Sequence, residues 1–175
     1  MIVIASSNLQ RLHVDVTDLW PRRLHLRLDD NAIHDFPAPL MRLDPSVLSI
    51  TGNQLTQVPL AELFGRGRSL SVLDVSNNPI QSLPSNVDDA TIPEAFWGLF
   101  LANTSVSDVP QWLQDTLLLR QQDKSLWHLS VVLSGSPVCT NITATVAASV
   151  NRTWQHDVYC EPMWRSPLRT MLLDF

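Results

Sequence analysis

The chain has 175 residues, 45% of them hydrophobic, enough to bury one continuous core and giving no reason to expect a second. Twelve Lys and Arg against 17 Asp and Glu leave a formal net charge of -5, and the basic residues are scattered or merely paired, as at Arg22 and Arg23, which speaks against a nucleic-acid partner. Five glycines against 12 prolines is a poor supply for phosphate-cradling loops and describes instead a chain punctuated by rigid turns.

From the amino end, Met1 to Ala5 followed by Ser6, Ser7 and Asn8 offers neither a basic start nor the apolar stretch of about 7–15 residues that an export signal needs. The first predicted element is instead a short strand at 2–4, and the same local pattern returns at 26–28, 48–50, 73–75, 99–101 and 131–133. In a template with apolar residues at positions 4, 6, 11 and 14 and a small polar residue at position 9, the polar anchors are Ser7, Asn31, Asn53, Asn78, Thr104 and Ser136. These stand 24, 22, 25, 26 and 32 residues apart. Of the 24 apolar slots, 23 are filled, against about 11 expected at 45% hydrophobicity; Asn141 breaks the last.

Each part of the pattern has a physical reason. Apolar residues at positions 4 and 6 alternate with polar ones, so one face of a short strand is buried; those at 11 and 14 return the chain to the core. The chain must turn after position 8. An asparagine at position 9 has two donors and an acceptor for backbone groups that the turn leaves unpaired, whereas the hydroxyls of Ser7, Thr104 and Ser136 do only part of this. Proline follows position 14 at Pro37, Pro59, Pro84 and Pro110 and fixes φ there. Between the strands, residues 111–123 read as a helix, Ala61 to Phe64 as one turn, and Ser85 to Ala90 as irregular. The longest apolar runs, Ala95 to Ala102 and Val146 to Ala148, fall far short of the roughly 20 residues that cross a bilayer, so no membrane span is expected within the chain.

Near the carboxyl end, two cysteines, Cys139 and Cys160, enclose two of three Asn-x-Ser/Thr sequons: Asn141 and Asn151 lie between them, and Asn103 lies upstream. An even cysteine count with sequons favours an oxidising, extracellular or cell-surface compartment, and the alternative is a reduced, cytoplasmic chain whose sequons are accidental.

The repeated strand, the position 9 anchors and the following prolines closely resemble the L-x-x-L-x-L-x-x-N-x-L-x-x-L-P pattern of leucine-rich repeat proteins over residues 2–139. That resemblance implies an α/β fold: a leucine-rich repeat solenoid, curved, with a parallel β-sheet on the concave face and helices and irregular loops on the convex face. It implies about six repeats over 1–138, the first incomplete, then a cap over 139–161 closed by a Cys139–Cys160 disulfide, and a tail over 162–175 outside the pattern. Trp154, Met163 and Trp164 are expected to fill cap core. Because Ile2 already stands at position 4, the chain is expected to begin inside a repeat and to be a piece of a longer protein.

Solenoids of this kind bind partners on the concave face, lined by positions 3, 5, 7 and 8. The residues expected to form a ligand face are His25, Arg27, Asp29, Asp30 and Asp74, with Phe100 as an outward aromatic anchor of the kind that concentrates binding energy. Asn103 falls on the rim, where a glycan would obstruct repeats five and six. No H-E-x-x-H, G-x-S-x-G, P-loop, G-x-G-x-x-G or C-x-x-C motif occurs. The five histidines are dispersed, and the pairs Asp29–Asp30 and Asp88–Asp89 are adjacent in sequence, not arranged as two opposed carboxylates. The expectation is therefore a non-catalytic recognition module with no cofactor and no metal, binding a protein or peptide. Two variants are an extracellular sensing region of a membrane receptor, such as a receptor kinase, and an intracellular scaffold.

Overall fold

The computed structural model describes residues 1–65, 68–88, 91–123, 126–140 and 157–161. Seven strands form one sheet in strict chain order: β1 (Ile2–Val3), β2 (His25–Arg27), β3 (Val47–Ser49), β4 (Val72–Asp74), β5 (Gly98–Phe100), β6 (Ser130–Val132) and β7 (Val158–Tyr159). All six pairings are parallel. Parallel neighbours need a long crossover, and each one here runs from the carboxyl end of a strand to the amino end of the next strand in the sheet. Helices lie on these crossovers, among them α1 (Val16–Leu19), α2 (Pro39–Leu43), α3 (Leu60–Leu63) and α4 (Gln111–Gln122), and residues 137–140 are helical as well. The architecture is α/β, with an all-parallel sheet.

Register follows the repeat. Ile2 pairs with Leu26, Leu26 with Leu48, Leu48 with Leu73, Leu73 with Leu99 and Leu99 with Val131, so equivalent template positions stack across the sheet. A slip of one residue would turn every one of these side chains to the other face, so the buried face fixes the register. Leu26, Leu48, Leu73 and Leu99 are fully buried and join Ile33, Leu55, Ile80 and Val106, the returning residues at position 11, in one core. Removing such a leucine to alanine costs about 2–5 kcal/mol. Phe64 and Phe96 add an edge-on ring pair with centroids 4.8 Å apart between two crossovers.

From β2 to β6 the strands start and stop one residue earlier than their spacing predicts. Inter-repeat pairing nevertheless continues past them: Leu28 N–H donates to Ser49 O and Asp30 N–H to Thr51 O, both at 2.8 Å, and the same step recurs from Ile50 to Asp74 and from Gly52 to Ser76. The backbone then turns at position 8 in every repeat. Ser6, Asp30, Gly52, Asn77, Asn103 and Gly135 all have positive φ, between 51° and 75°. The αL region favours Gly, Asn and Asp, which fill five of these six places. Asn31, Asn53 and Asn78 follow as buried anchors. Asn53 donates to Leu28 O, Ile50 O and Thr51 O and accepts from Ile33 N, and Asn78 repeats this toward Ile50, Val75, Ser76 and Leu55. Each asparagine thereby ties its own turn to the preceding repeat. Ser7 contributes its backbone N–H to Asn31 Oδ1. Thr104 and Ser136, lacking an amide, share a hydroxyl–hydroxyl bond of 2.9 Å, and with one hydrogen apiece one hydroxyl donates to the other while the other donates to Leu101 O.

The helix over 111–123 is observed as α4, one residue shorter, and the single turn at Ala61 to Phe64 as α3, one residue earlier. Residues 85–88 carry no helix or strand, as their polarity predicts. The four- and five-residue helices α1 and α2 were not foreseen. At α4 the buried Arg120 donates to the carbonyls of Pro93 (2.9 Å), Glu94, Phe96 and Trp127, binding the helix to the segment before β5 and the turn before β6. Trp112 Nε1 donates to Pro84 O at 2.8 Å. Cys139 and Cys160 form a disulfide, which brings β7 alongside β6.

Candidate functional site

Alternation along each strand leaves a second face of the sheet pointing away from the main core, here the outward face. It carries His25, Arg27 and Asp29 from β2 and its extension, then Val47, Ser49 and Thr51, then Val72, Asp74 and Ser76, and finally Gly98, Phe100, Ala102, Ser130, Val132 and Ser134. The two ends of this face differ in chemistry.

The β2–β4 end is a hydrogen-bonded polar array. Arg27 reaches Asp29 Oδ2 through Nε at 2.9 Å and a terminal nitrogen at 2.8 Å. The other carboxylate oxygen of Asp29 accepts from Ser49 Oγ at 2.5 Å and from Thr51 N at 3.3 Å. Asp29 is thus buried yet supplied with a cation and two donors, while Arg27 keeps its outer side in solvent. Asp74 stands next in the row, opposite Ser49 on one side and Phe100 on the other, and its carboxylate accepts from Ser76 N at 3.0 Å. Burial raises the Asp74 carboxyl above the ordinary aspartate value; hydrogen bonds from Ser76 and Thr51 act the other way, and the charge of Asp29 adds to the rise. No cation forms an ion pair with Asp74 among the described residues.

The β4–β6 end is apolar. Val47, Val72, Phe100, Ala102 and Val132 form a cluster separate from the main core, flanked by half-buried Trp97 and Tyr159. Phe100 lies on the outward face, as its position requires, but the expectation of an exposed anchor is corrected: its relative exposure is 0%. Gly98 is the local reason, because a Cβ there would sit 2.9 Å from the Phe100 ring, so the missing side chain is the space into which the ring folds. Ala102 at the next outward position is equally small.

Asp30 stands at the turn at position 8, exposed at the rim of the face, and its carboxylate lies against Gly52, where an added Cβ would meet Oδ1 at 2.2 Å. His25 lies on the face and is half-buried. Asn103 occupies the same turn position as Asp30: it is exposed and donates from Nδ2 to Asn77 Oδ1 at 2.9 Å, with Oδ1 against Gly135. Asn141 and Asn151, Trp154, Met163 and Trp164 lie outside the described residues. Ser49, Thr51 and Ser76 were legible as positions 5 and 7 of the template but had no charge to single them out. Tyr159, on a strand outside the repeat pattern, carried no such signal.

Chemically, the polar end offers a guanidinium, carboxylates and hydroxyls in fixed positions on a rigid sheet, suited to matching the polar groups of a partner surface. Among the described residues no group of three His, Cys, Asp or Glu side chains is placed to hold a metal ion, and no helix is long and apolar enough to cross a membrane. No protein-family model matches the chain, and a search of curated proteins returned no match.

Proposed function

We propose that this chain is a leucine-rich repeat module of a secreted or cell-surface protein, a solenoid that binds a protein or peptide on the outward, concave face of its sheet and performs no catalysis. The observation that carries the reading is the stacking of equivalent residues in register across consecutive parallel strands, each repeat tied to the one before by its position 9 asparagine. Such a scaffold holds the outward side chains of adjacent strands about 4.8 Å apart in a regular array, whatever those side chains are. The array at β2–β4 supplies polar specificity through Arg27, Asp29, Ser49, Thr51 and Asp74. The disulfide between Cys139 and Cys160 favours an oxidising compartment, and with it glycosylation at Asn103, Asn141 and Asn151.

Two measurements test the reading. Non-reducing peptide mapping of protein from its native source, with and without glycosidase, should find Cys139 linked to Cys160 and glycan on at least one of the three sequons; free thiols and bare asparagines would make it an intracellular scaffold. A display screen against extracellular proteins and peptides should yield binders that lose affinity on Asp74→Arg and keep it on Glu62→Lys, which alters α3 on the opposite side. Binders sensitive only to the second change would move the site to the helices.

A further inference from the structure

Across the outward face Arg27, Ser49, Asp74 and Phe100 stand side by side in register on β2, β3, β4 and β5. Three of the four have their chemistry answered within the chain. Arg27 gives two nitrogens to Asp29, Ser49 gives its hydroxyl to the same carboxylate, and Phe100 packs in the apolar cluster. Asp74 differs. The groups that reach its carboxylate are neutral donors, the N–H and hydroxyl of Ser76 and the hydroxyl of Thr51, and no ion pair among the described residues includes it. Neutral donors orient a carboxylate and leave its charge in place. The neighbouring charge that acts on it, that of Asp29, has the same sign.

The charge distribution along the chain repeats this imbalance independently. From residue 69 to residue 119, within the fourth and fifth repeats, Asp74, Asp88, Asp89, Glu94, Asp108 and Asp115 occur with no Lys, Arg or His. Residues 1–68 hold seven Lys and Arg against seven Asp and Glu, so charge balances in the first three repeats and not in these two.

We propose that the outward face takes its partner through a lysine or arginine side chain whose cationic head pairs with the Asp74 carboxylate. The inference rests on the reading of this face as a binding surface and names what is recognised there. Ser49 lies to one side of Asp74 and Phe100 to the other, a border between polar and apolar surface that suits a side chain with an apolar stem and a charged head. Asp74 is half-buried, where water screens a pair with a cation less than it does on an open surface. The unbalanced carboxylates of the fourth and fifth repeats add attraction at longer range, which speeds encounter with a basic partner and turns away an acidic one.

The test selects binders from a random peptide library displayed on phage, with the whole disulfide-bonded chain as target. Each selected peptide is then measured in a double-mutant cycle, native chain against unglycosylated Asp74→Asn and the peptide's lysine or arginine against methionine. The peptides should share a basic residue at one position, and the cycle there should show a coupling of roughly tenfold or more, as close charge pairs across interfaces do. Asp74→Arg should select Asp or Glu at that position instead; should that variant fail to fold, the Asp74→Asn cycle decides alone. No binders, no shared basic position, or a coupling below about twofold overturns the proposal. A glycan at position 74 separates this outcome from the broader reading. Peptides that it blocks but that show no coupling keep the outward face as the binding surface and remove the role of Asp74, whereas peptides that it does not block remove both.

Discussion

At Asn53 one buried side chain satisfies four backbone groups, three carbonyls and the N–H of Ile33 in the preceding repeat. Each buried group left unsatisfied costs about 1–3 kcal/mol, so Asn53→Ala should destabilise the fold by about 3–4 kcal/mol and Ser136→Ala by roughly half as much, read as shifts of the urea midpoint. A smaller loss at Asn53 than at Ser136 would contradict the role assigned to the amide. This position was legible in the sequence because one chemical requirement recurs six times. The turn before it was not read, although Asp30, Gly52, Asn77, Asn103 and Gly135 are the residue types that αL backbone prefers: they share a conformation and not a side chain, and the template compared side chains. Asp74 yields a pH dependence. Its folded pKa is raised, so above that value the charged carboxylate works against folding, and the penalty fades as pH falls and vanishes below the ordinary value of 3.8, where both states are protonated. Unglycosylated Asp74→Asn should therefore melt higher than the native chain at pH 7, with the advantage shrinking toward zero as the pH approaches 3.8. An advantage that grows on acidification would reverse the sign.

Among elements, α4 shows how a crossover is fixed to the sheet. Arg120 leaves water almost completely and gives its hydrogens to carbonyls of the chain leading into β5 and β6. Arg120→Leu removes these donors while keeping apolar bulk, and should cost on the order of 3 kcal/mol, since hydrogen bonds from a charged group contribute about 1.5–3 kcal/mol each and burying the guanidinium offsets part of their sum. Thermal denaturation checks it; a variant as stable as the native chain would show that the carbonyls find other partners. The position of α4 was readable from Trp112, Leu113, Leu117, Leu118 and Leu119 in a segment long enough for three turns and free of internal proline and glycine. The helices α1 and α2 were not, because four or five residues hold barely one turn, too short for periodicity to register and stable only through packing. Strand β7 escaped for a related reason: with two residues it has no alternation of its own and exists because β6 offers an edge and the disulfide holds it there. Phe100 was placed on the correct face, yet its burial draws on Gly98 beside it and on the apolar side chains of the neighbouring strands, which no pattern within one strand encodes.

For the whole molecule, the repeat makes stability a chain of nearest-neighbour contacts, and the ends are where it is weakest. The Cys139–Cys160 bond closes a loop of about 20 residues at one end, so its reduction by a dithiol should lower stability by about 3 kcal/mol and first release protection of amides in β6 and β7 in hydrogen exchange. Uniform loss across all strands would mean that the sheet melts as one unit. The central claim is that partners are bound on the outward face, and one substitution tests it there. Asp74→Asn puts an asparagine two residues before Ser76 with Val75 between them, a new Asn-x-Ser sequon at the centre of that face. Secretion from a glycosylating host then adds a glycan, and peptide-N-glycosidase removes it with conversion of the asparagine back to aspartate. Affinity for a partner from the display screen should be lost in the glycosylated form and return to that of identically treated native chain after the enzyme. Equal affinity before and after removal of the glycan would place the binding surface elsewhere on the molecule.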